Sequence, residues 1–170
     1  MVASLDGFIA KHDGTVDWLE TQDEFADGVT GEDADESMQV IDCFVMGSRT
    51  YETALKLGWP YGLVPTFVLT HRDFISNRSN VEFHDGDLPE FVDGNLKKRF
   101  SNIWVVGGAM LTKEFIRLDL ADEIILAVVP VLIGDGMLFF DFVGVERSLH
   151  LKDVTAYKSG MVELRYEIKK

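Results

Sequence analysis

Two apolar runs in this chain each end in glycine and then open into a helical pattern. They are Cys43-Phe44-Val45-Met46-Gly47, followed by Ser48-Arg49-Thr50-Tyr51-Glu52, and Ile103-Trp104-Val105-Val106-Gly107, followed by Gly108-Ala109-Met110-Leu111. Each reads as a buried strand, a tight turn and a helix start. A helix start presents backbone N–H groups with no intrahelical partner and roughly half a positive charge. Together these make a phosphate site. One such turn is common. Two of them, about 60 residues apart in one small chain, point to a ligand with several phosphates lying across the end of a sheet, and a dinucleotide fits that description.

A polyanion needs local positive charge, because the chain as a whole carries a formal net charge of −13. That balance disfavours nucleic acid and anionic membrane as partners. The best-placed cations are Arg49, inside the first glycine turn, and Arg72, just after the run 66–70, with His71 beside it. A cation at a helix start opposes the dipole, so Arg49 is better explained if an anion binds there. Asp6, in an Asp6-Gly7 turn, reads first as a turn residue. Trp18 reads as a core anchor, and Cys43 as inert packing within a strand. His84 and His150 lack partners at metal-ligand spacing, so no metal site is expected.

At 170 residues the length suits one domain, 1–170, able to bury roughly 70% of the unfolded chain's surface. A hydrophobic content of 46% and a charged content of 26% are those of a globular protein. No apolar stretch approaches the ~20 residues that span a membrane, and residues 1–20 lack a secretory pattern. The single cysteine excludes an internal disulfide and suits a reducing cytoplasm.

The elements that must position these residues follow from patterning. Residues 1–5 predict a strand, closed by Asp6-Gly7, and 8–10 lead into a polar loop over 11–17. Residues 20–37 are strongly acidic, and Ala34, Met38 and Ile41 then recur at helical spacing. A helix is predicted over 48–57, with Gly58 and Pro60 ending it. Strands are predicted at 66–70, 81–83 and 103–106. Asp87 and Pro89 mark the start of a helix with apolar positions Leu88, Phe91, Val92, Leu96 and Phe100. Leu111, Phe115 and Leu118 predict the inner face of another helix. Residues 123–133 read as a central strand covered on both sides, with Pro130 at its end or edge. Val162, Leu164, Tyr166 and Ile168 alternate with charged residues as the last strand of a hairpin turned at Ser159-Gly160. Strands alternating with helices, then strands in succession, predict a mostly parallel α/β sheet with helices on both faces and an antiparallel C-terminal hairpin.

The segments Ser4-Leu5-Asp6-Gly7-Phe8-Ile9-Ala10, Val45-Met46-Gly47-Ser48-Arg49-Thr50-Tyr51-Glu52, Val105-Val106-Gly107-Gly108 and 122–134 stand in the order and at the intervals of a known family. They resemble the dihydrofolate-reductase-like reductases, specifically the C-terminal reductase domain of bifunctional riboflavin-biosynthesis deaminase-reductases and its stand-alone relatives. The resemblance covers almost the whole chain. It implies the three-layer dihydrofolate-reductase-like fold, with NADPH bound along the carboxyl ends of the strands. The positions matching the cofactor motifs are Gly47, Ser48, Arg49 and Thr50, then Thr70, His71 and Arg72, then Val106, Gly107, Gly108, Ala109, Met110 and Leu111. Where relatives carry a basic residue directly after the first glycine, this chain has Ser48, with Arg49 one position later.

The Ser4–Gly7 turn matches the segment that faces nicotinamide and substrate. Asp6 is therefore the candidate for orienting substrate or relaying a proton through water, and Ser4 for helping to orient the ring. The resemblance also implies a homodimer, and the apolar density of 124–133 and of the C-terminal ribbon points the same way. The expected function is NADPH-dependent reduction of a small heterocyclic metabolite, as in reduction of the phosphoribosylamino-pyrimidine of riboflavin synthesis. The alternatives are a dihydrofolate-reductase-type activity and a non-catalytic nucleotide-binding module of the same fold.

Overall fold

The computed structural model describes residues 1–30 and 40–170. The helix expected from Ala34, Met38 and Ile41, and the acidic run 31–37, fall on 31–39, outside the described residues. In chain order the strands are β1 (Val2–Ser4), β2 (Phe8–Ala10), β3 (Cys43–Gly47), β4 (Thr66–Leu69), β5 (Val81–His84), β6 (Ile103–Gly107), β7 (Glu123–Val129), β8 (Met137–Leu138), β9 (Leu149–Ala156) and β10 (Val162–Ile168). The main helices are α1 (Ser48–Lys56), α2 (Leu88–Phe91) and α3 (Ala109–Arg117). The chain's contacts group into two compact units: residues 37–112, and residues 1–36 with 113–170.

The unit 37–112 is built on an all-parallel sheet of order β5-β4-β3-β6. Cys43 to Met46 form a continuous apolar run and all four are buried, as expected for a parallel strand covered on both faces. Successive side chains point to opposite faces, and the packing on β4 shows both covers. Val68 joins a cluster with Tyr51 and Ala54 of α1. Its neighbour Phe67 packs edge-on to Phe91 of α2 and to Phe100, with ring centroids 5.6 and 5.8 Å apart. The two helices therefore cover opposite faces of one sheet. Each such fully buried side chain is worth about 1.5–3 kcal/mol.

Asp87 caps α2 as predicted, accepting a 2.9 Å hydrogen bond from the Glu90 amide. Beyond Phe91 the chain widens into a π-helical stretch, Val92–Leu96, and closes with Lys97–Arg99. The wide turn buries both Val92 and Leu96.

In the other unit β1 runs parallel to β7, and β7, β10 and β9 are antiparallel neighbours. The predicted hairpin is β9–β10. Its turn needs glycine at Gly160, where φ is +75° and a Cβ would collide with the Asp23 carboxylate. The short strands β2 and β8 pair separately.

Two expectations are corrected here. The strand predicted over 123–133 ends at Val129, before Pro130, and most of its side chains are only half-buried. In α3 the buried residues are Phe115 and Ile116. Leu111 is half-buried and Leu118 lies beyond the helix end at Arg117. No helix among the described residues is long and apolar enough to cross a membrane.

Candidate functional site

The parallel sheet of residues 37–112 brings the predicted cofactor positions together. β4, β3 and β6 are neighbours running in one direction. Gly47, Thr70 and Gly107 therefore stand at the same, carboxyl, end of three adjacent strands. A β-bulge next to Met46 pairs that residue with Gly107. A Cβ built on Gly47 would lie 4.0 Å from the Gly107 carbonyl oxygen, and one on Gly108 would lie 3.5 Å from Thr50 Oγ1. The two glycine turns thus adjoin.

Both turns open directly into helices of nine residues. Gly47 occupies the N-cap of α1, and no side chain among the described residues caps that end. The Gly107–Gly108 peptide is cis, and Gly107 has φ +112°. A φ of +112° is one that glycine adopts without strain. The arrangement presents two helix starts side by side, with little but backbone and small side chains between them. It is suited to a pyrophosphate-bearing ligand.

The charges around this end are unevenly engaged. Arg49, in the first turn of α1, is exposed and makes no ion pair among the described residues. Arg72 is held in a fork by Glu52, with Nη2–Oε1 at 2.6 Å and Nη1–Oε2 at 3.3 Å, and its guanidinium lies 4.6 Å from the Phe74 ring centre. Arg72 holds the Glu52 carboxyl below its ordinary pKa, and Glu52 in turn raises that of Arg72. His71 Nδ1 contacts the Asp85 carboxylate. Thr70 anchors the segment, its amide donating to the His84 carbonyl at 2.9 Å and its hydroxyl accepting from the Arg72 amide at 3.0 Å. Val106, Ala109 and Leu111 are half-buried and Met110 is 78% exposed.

Ser4 and Asp6 belong to the other unit, where they form a closed cluster. The buried Ser4 hydroxyl donates to Asp6 Oδ1 at 2.6 Å and accepts from the Phe8 amide at 3.0 Å. Asp6 also accepts from the amides of Ile133 and Gly134, at 3.2 and 2.7 Å. The Ser4 hydrogen bond, and then those two amides, hold the Asp6 carboxyl below the usual carboxylate range. A carboxylate has roughly four lone-pair sites, and three donors already occupy this one. Asp6 is held as an ionised acceptor and is poorly set up to give a proton away.

Cys43 is fully buried, and burial pushes its thiol up to about 12, which agrees with inert packing. Trp18 is buried, and its indole N–H has no hydrogen-bond partner among the described residues. The acids that engage the site's cations, Glu52 and Asp85, were not among the predicted site residues. An acid three residues after Arg49 on a helix is the one local hint of Glu52.

The fold and the motifs have clear counterparts. The family model for the RibD C-terminal domain matches residues 1–163. The uncharacterized protein YwjB of Bacillus subtilis (strain 168) is 33% identical over 168 residues, covering 98% of this chain and 94% of that protein. Among solved structures, a protein of Shewanella sp. PV-4, provisionally named as a riboflavin biosynthesis protein, superposes with a TM-score of 0.84 at 26% identity. That match covers 100% of this chain and 97% of the other. Dihydrofolate reductase from Enterococcus faecalis, complexed with NADP(H), shares the fold at a TM-score of 0.64 and 16% identity, over 99% and 94% of the two chains. The chain is a member of the RibD C-terminal domain family, built on a dihydrofolate-reductase-like α/β fold.

Proposed function

We propose that this protein is an NADPH-dependent reductase of a small heterocyclic metabolite, related in chemistry to the pyrimidine reductase of riboflavin synthesis. The observation that carries this reading is the alignment of Gly47, Thr70 and Gly107 at the ends of three adjacent parallel strands, with two helix starts side by side. The residues present fit the cofactor: an N-cap without a side chain at Gly47, an open face at Gly108 and a cation at Arg49. NADPH, when bound, supplies the hydride. The protein's part is to hold the nicotinamide, exclude water and orient the acceptor. Asp6, held ionised in the turn after β1, suits orientation of a substrate N–H or O–H.

The closed hydrogen bonding of Asp6 favours one second reading, a nucleotide-binding module without turnover. Steady-state NADPH oxidation against a panel of pyrimidines and pterins tests the two. Substrate-dependent oxidation supports the reductase. Tight NADPH binding with no oxidation across the panel supports the module.

The proposal includes a cytoplasmic homodimer. Leu164 of β10 pairs with Val154 and Leu126, and Tyr166 pairs with Leu151 and Ile124, so one face of this ribbon is apolar. Leu151 and Val154 are 48% and 51% exposed there. Burying such side chains against a second copy is favourable by about 25 cal/mol per Å². Light scattering should report a dimer, and Leu151→Asp should shift it to monomer. A wild-type monomer at micromolar concentration would refute this part.

A further inference from the structure

The cofactor groove contains three candidate cations, and the structure shows two of them already engaged by carboxylates. Arg72 is in a two-point ion pair with Glu52, and His71 meets Asp85. Arg49, one turn earlier on the same helix as Glu52, has no ion pair among the described residues. Resting on the reading of this groove as a dinucleotide site, we propose that Glu52 is a specificity-determining residue, which withholds Arg72 from the cofactor and so limits the preference for NADPH over NADH.

The geometry supports a restrained Arg72. Two parallel N–H···O contacts fix the plane of a guanidinium more firmly than a single contact does. The Phe74 ring, 4.6 Å from the guanidinium carbon, holds a second side. A 2′-phosphate approaching this corner meets Arg72 as half of a neutral pair, and Arg49, which makes no ion pair among the described residues but lies near enough to Glu52 to help lower its pKa. It also meets the Glu52 carboxylate, a like charge. NADH carries hydroxyls in the same place, for which a carboxylate is an acceptor rather than a repulsion. Glu52 therefore acts in opposite senses on the two cofactors. The carboxyl is held below its ordinary pKa, so it stays charged at neutral pH.

The test is a binding titration of NADPH and NADH, by quenching of protein fluorescence, on the wild type, Glu52→Gln, and the double variant Glu52→Gln with Arg72→Gln. The pair is on the surface, where such contacts add little to stability, and a thermal melt confirms that each variant is folded. Releasing Arg72 gives a 2′-phosphate one more charge-assisted contact. The ratio of NADPH to NADH affinity should rise about tenfold in Glu52→Gln. It should return to near the wild-type ratio in the double variant.

An unchanged or lowered ratio in Glu52→Gln would overturn the inference and leave the groove assignment standing. A double variant as selective as Glu52→Gln would also overturn it, because Arg72 would then not be the group released. Failure of the folded wild type to bind either dinucleotide would remove the groove assignment itself, and the inference with it.

Discussion

The two regions that carry the family motifs, the glycine turns after β3 and β6 and the Ser4–Gly7 turn, differ in what they leave unsatisfied. At the ends of β3 and β6, helix α1 starts without a capping side chain, and Arg49 stands without an ion pair among the described residues. In the Ser4–Gly7 turn, hydroxyl, carboxylate and three amides satisfy one another. Both stand at strand ends. A helix start with an unpaired cation gains by meeting an anion. A closed cluster gains nothing comparable, and its first task is to hold the chain in place. Binding energy for a cofactor is therefore expected from the first region, and shape for the substrate side from the second.

The contrast breaks most visibly at the double glycine. Gly107, at φ +112°, should not tolerate a side chain: Gly107→Ala is expected to cost about 1–3 kcal/mol of stability, as strained backbone does. Gly108 has no such φ, and its added Cβ would make an ordinary contact with Thr50. Gly108→Ala should melt close to wild type, within about 0.5 kcal/mol, yet bind NADPH more weakly because the methyl stands where phosphate approaches. Thermal melts and NADPH titrations on both variants check this. Equal melting of the two, or unchanged binding in Gly108→Ala, would refute the assignment.

Asp6→Asn probes the closed region. An amide has one acceptor oxygen where the carboxylate offers two, and its NH2 would face backbone N–H groups. The variant should melt below the wild type at neutral pH, with NADPH affinity unchanged. The sign of the pH dependence follows from the lowered folded pKa: the stabilisation is present above the ordinary value of 3.8 and is lost as pH falls through the folded value. The gap between wild type and variant should therefore be constant near neutrality and close below about pH 4. A gap that persists in acid would mean that the carboxylate's charge is not what holds the turn. With substrate in hand, a pH profile showing a general acid lost in Asp6→Asn would support the proton-relay role.

How much could be read in advance follows the range of the interactions. The strand–glycine–helix turns were legible because apolar runs, glycine and helical spacing are local. So were Asp87 as a cap and the hairpin at Gly160. The alignment of Gly47, Thr70 and Gly107 needed only the rule that alternating strands and helices run parallel. What stayed hidden was pairing between distant residues. Asp6 meets Ile133 and Gly134 at separations of 127 and 128 positions, and Arg72 meets Glu52 at 20. The Asp6-Gly7 pattern announces a turn and says nothing of what the carboxylate touches. The run 123–133 is apolar enough for a strand covered on both sides. That composition cannot separate cover by the same chain from cover by a second copy, and the half-buried side chains of β7 leave the second possibility as the one to test.

The smallest expected effect is also the sharpest test of the open region, because it has two signs. Arg49 sits in the first turn of α1, where a cation opposes the helix dipole. Removing it in Arg49→Ala should raise stability slightly, by about 0.3–1 kcal/mol at low salt, and the gain should shrink as salt is added. The same change takes away the unpaired cation at the groove, so NADPH affinity should fall by about tenfold, while NADH, with no 2′-phosphate, stays near its wild-type value. A residue kept for the fold would lose stability on truncation. A residue kept for an anion loses binding and releases a small strain. If NADPH and NADH weaken equally, Arg49 serves the pyrophosphate that both share. If stability falls along with both affinities, its place in α1 is structural and the comparison between the two regions loses its main support.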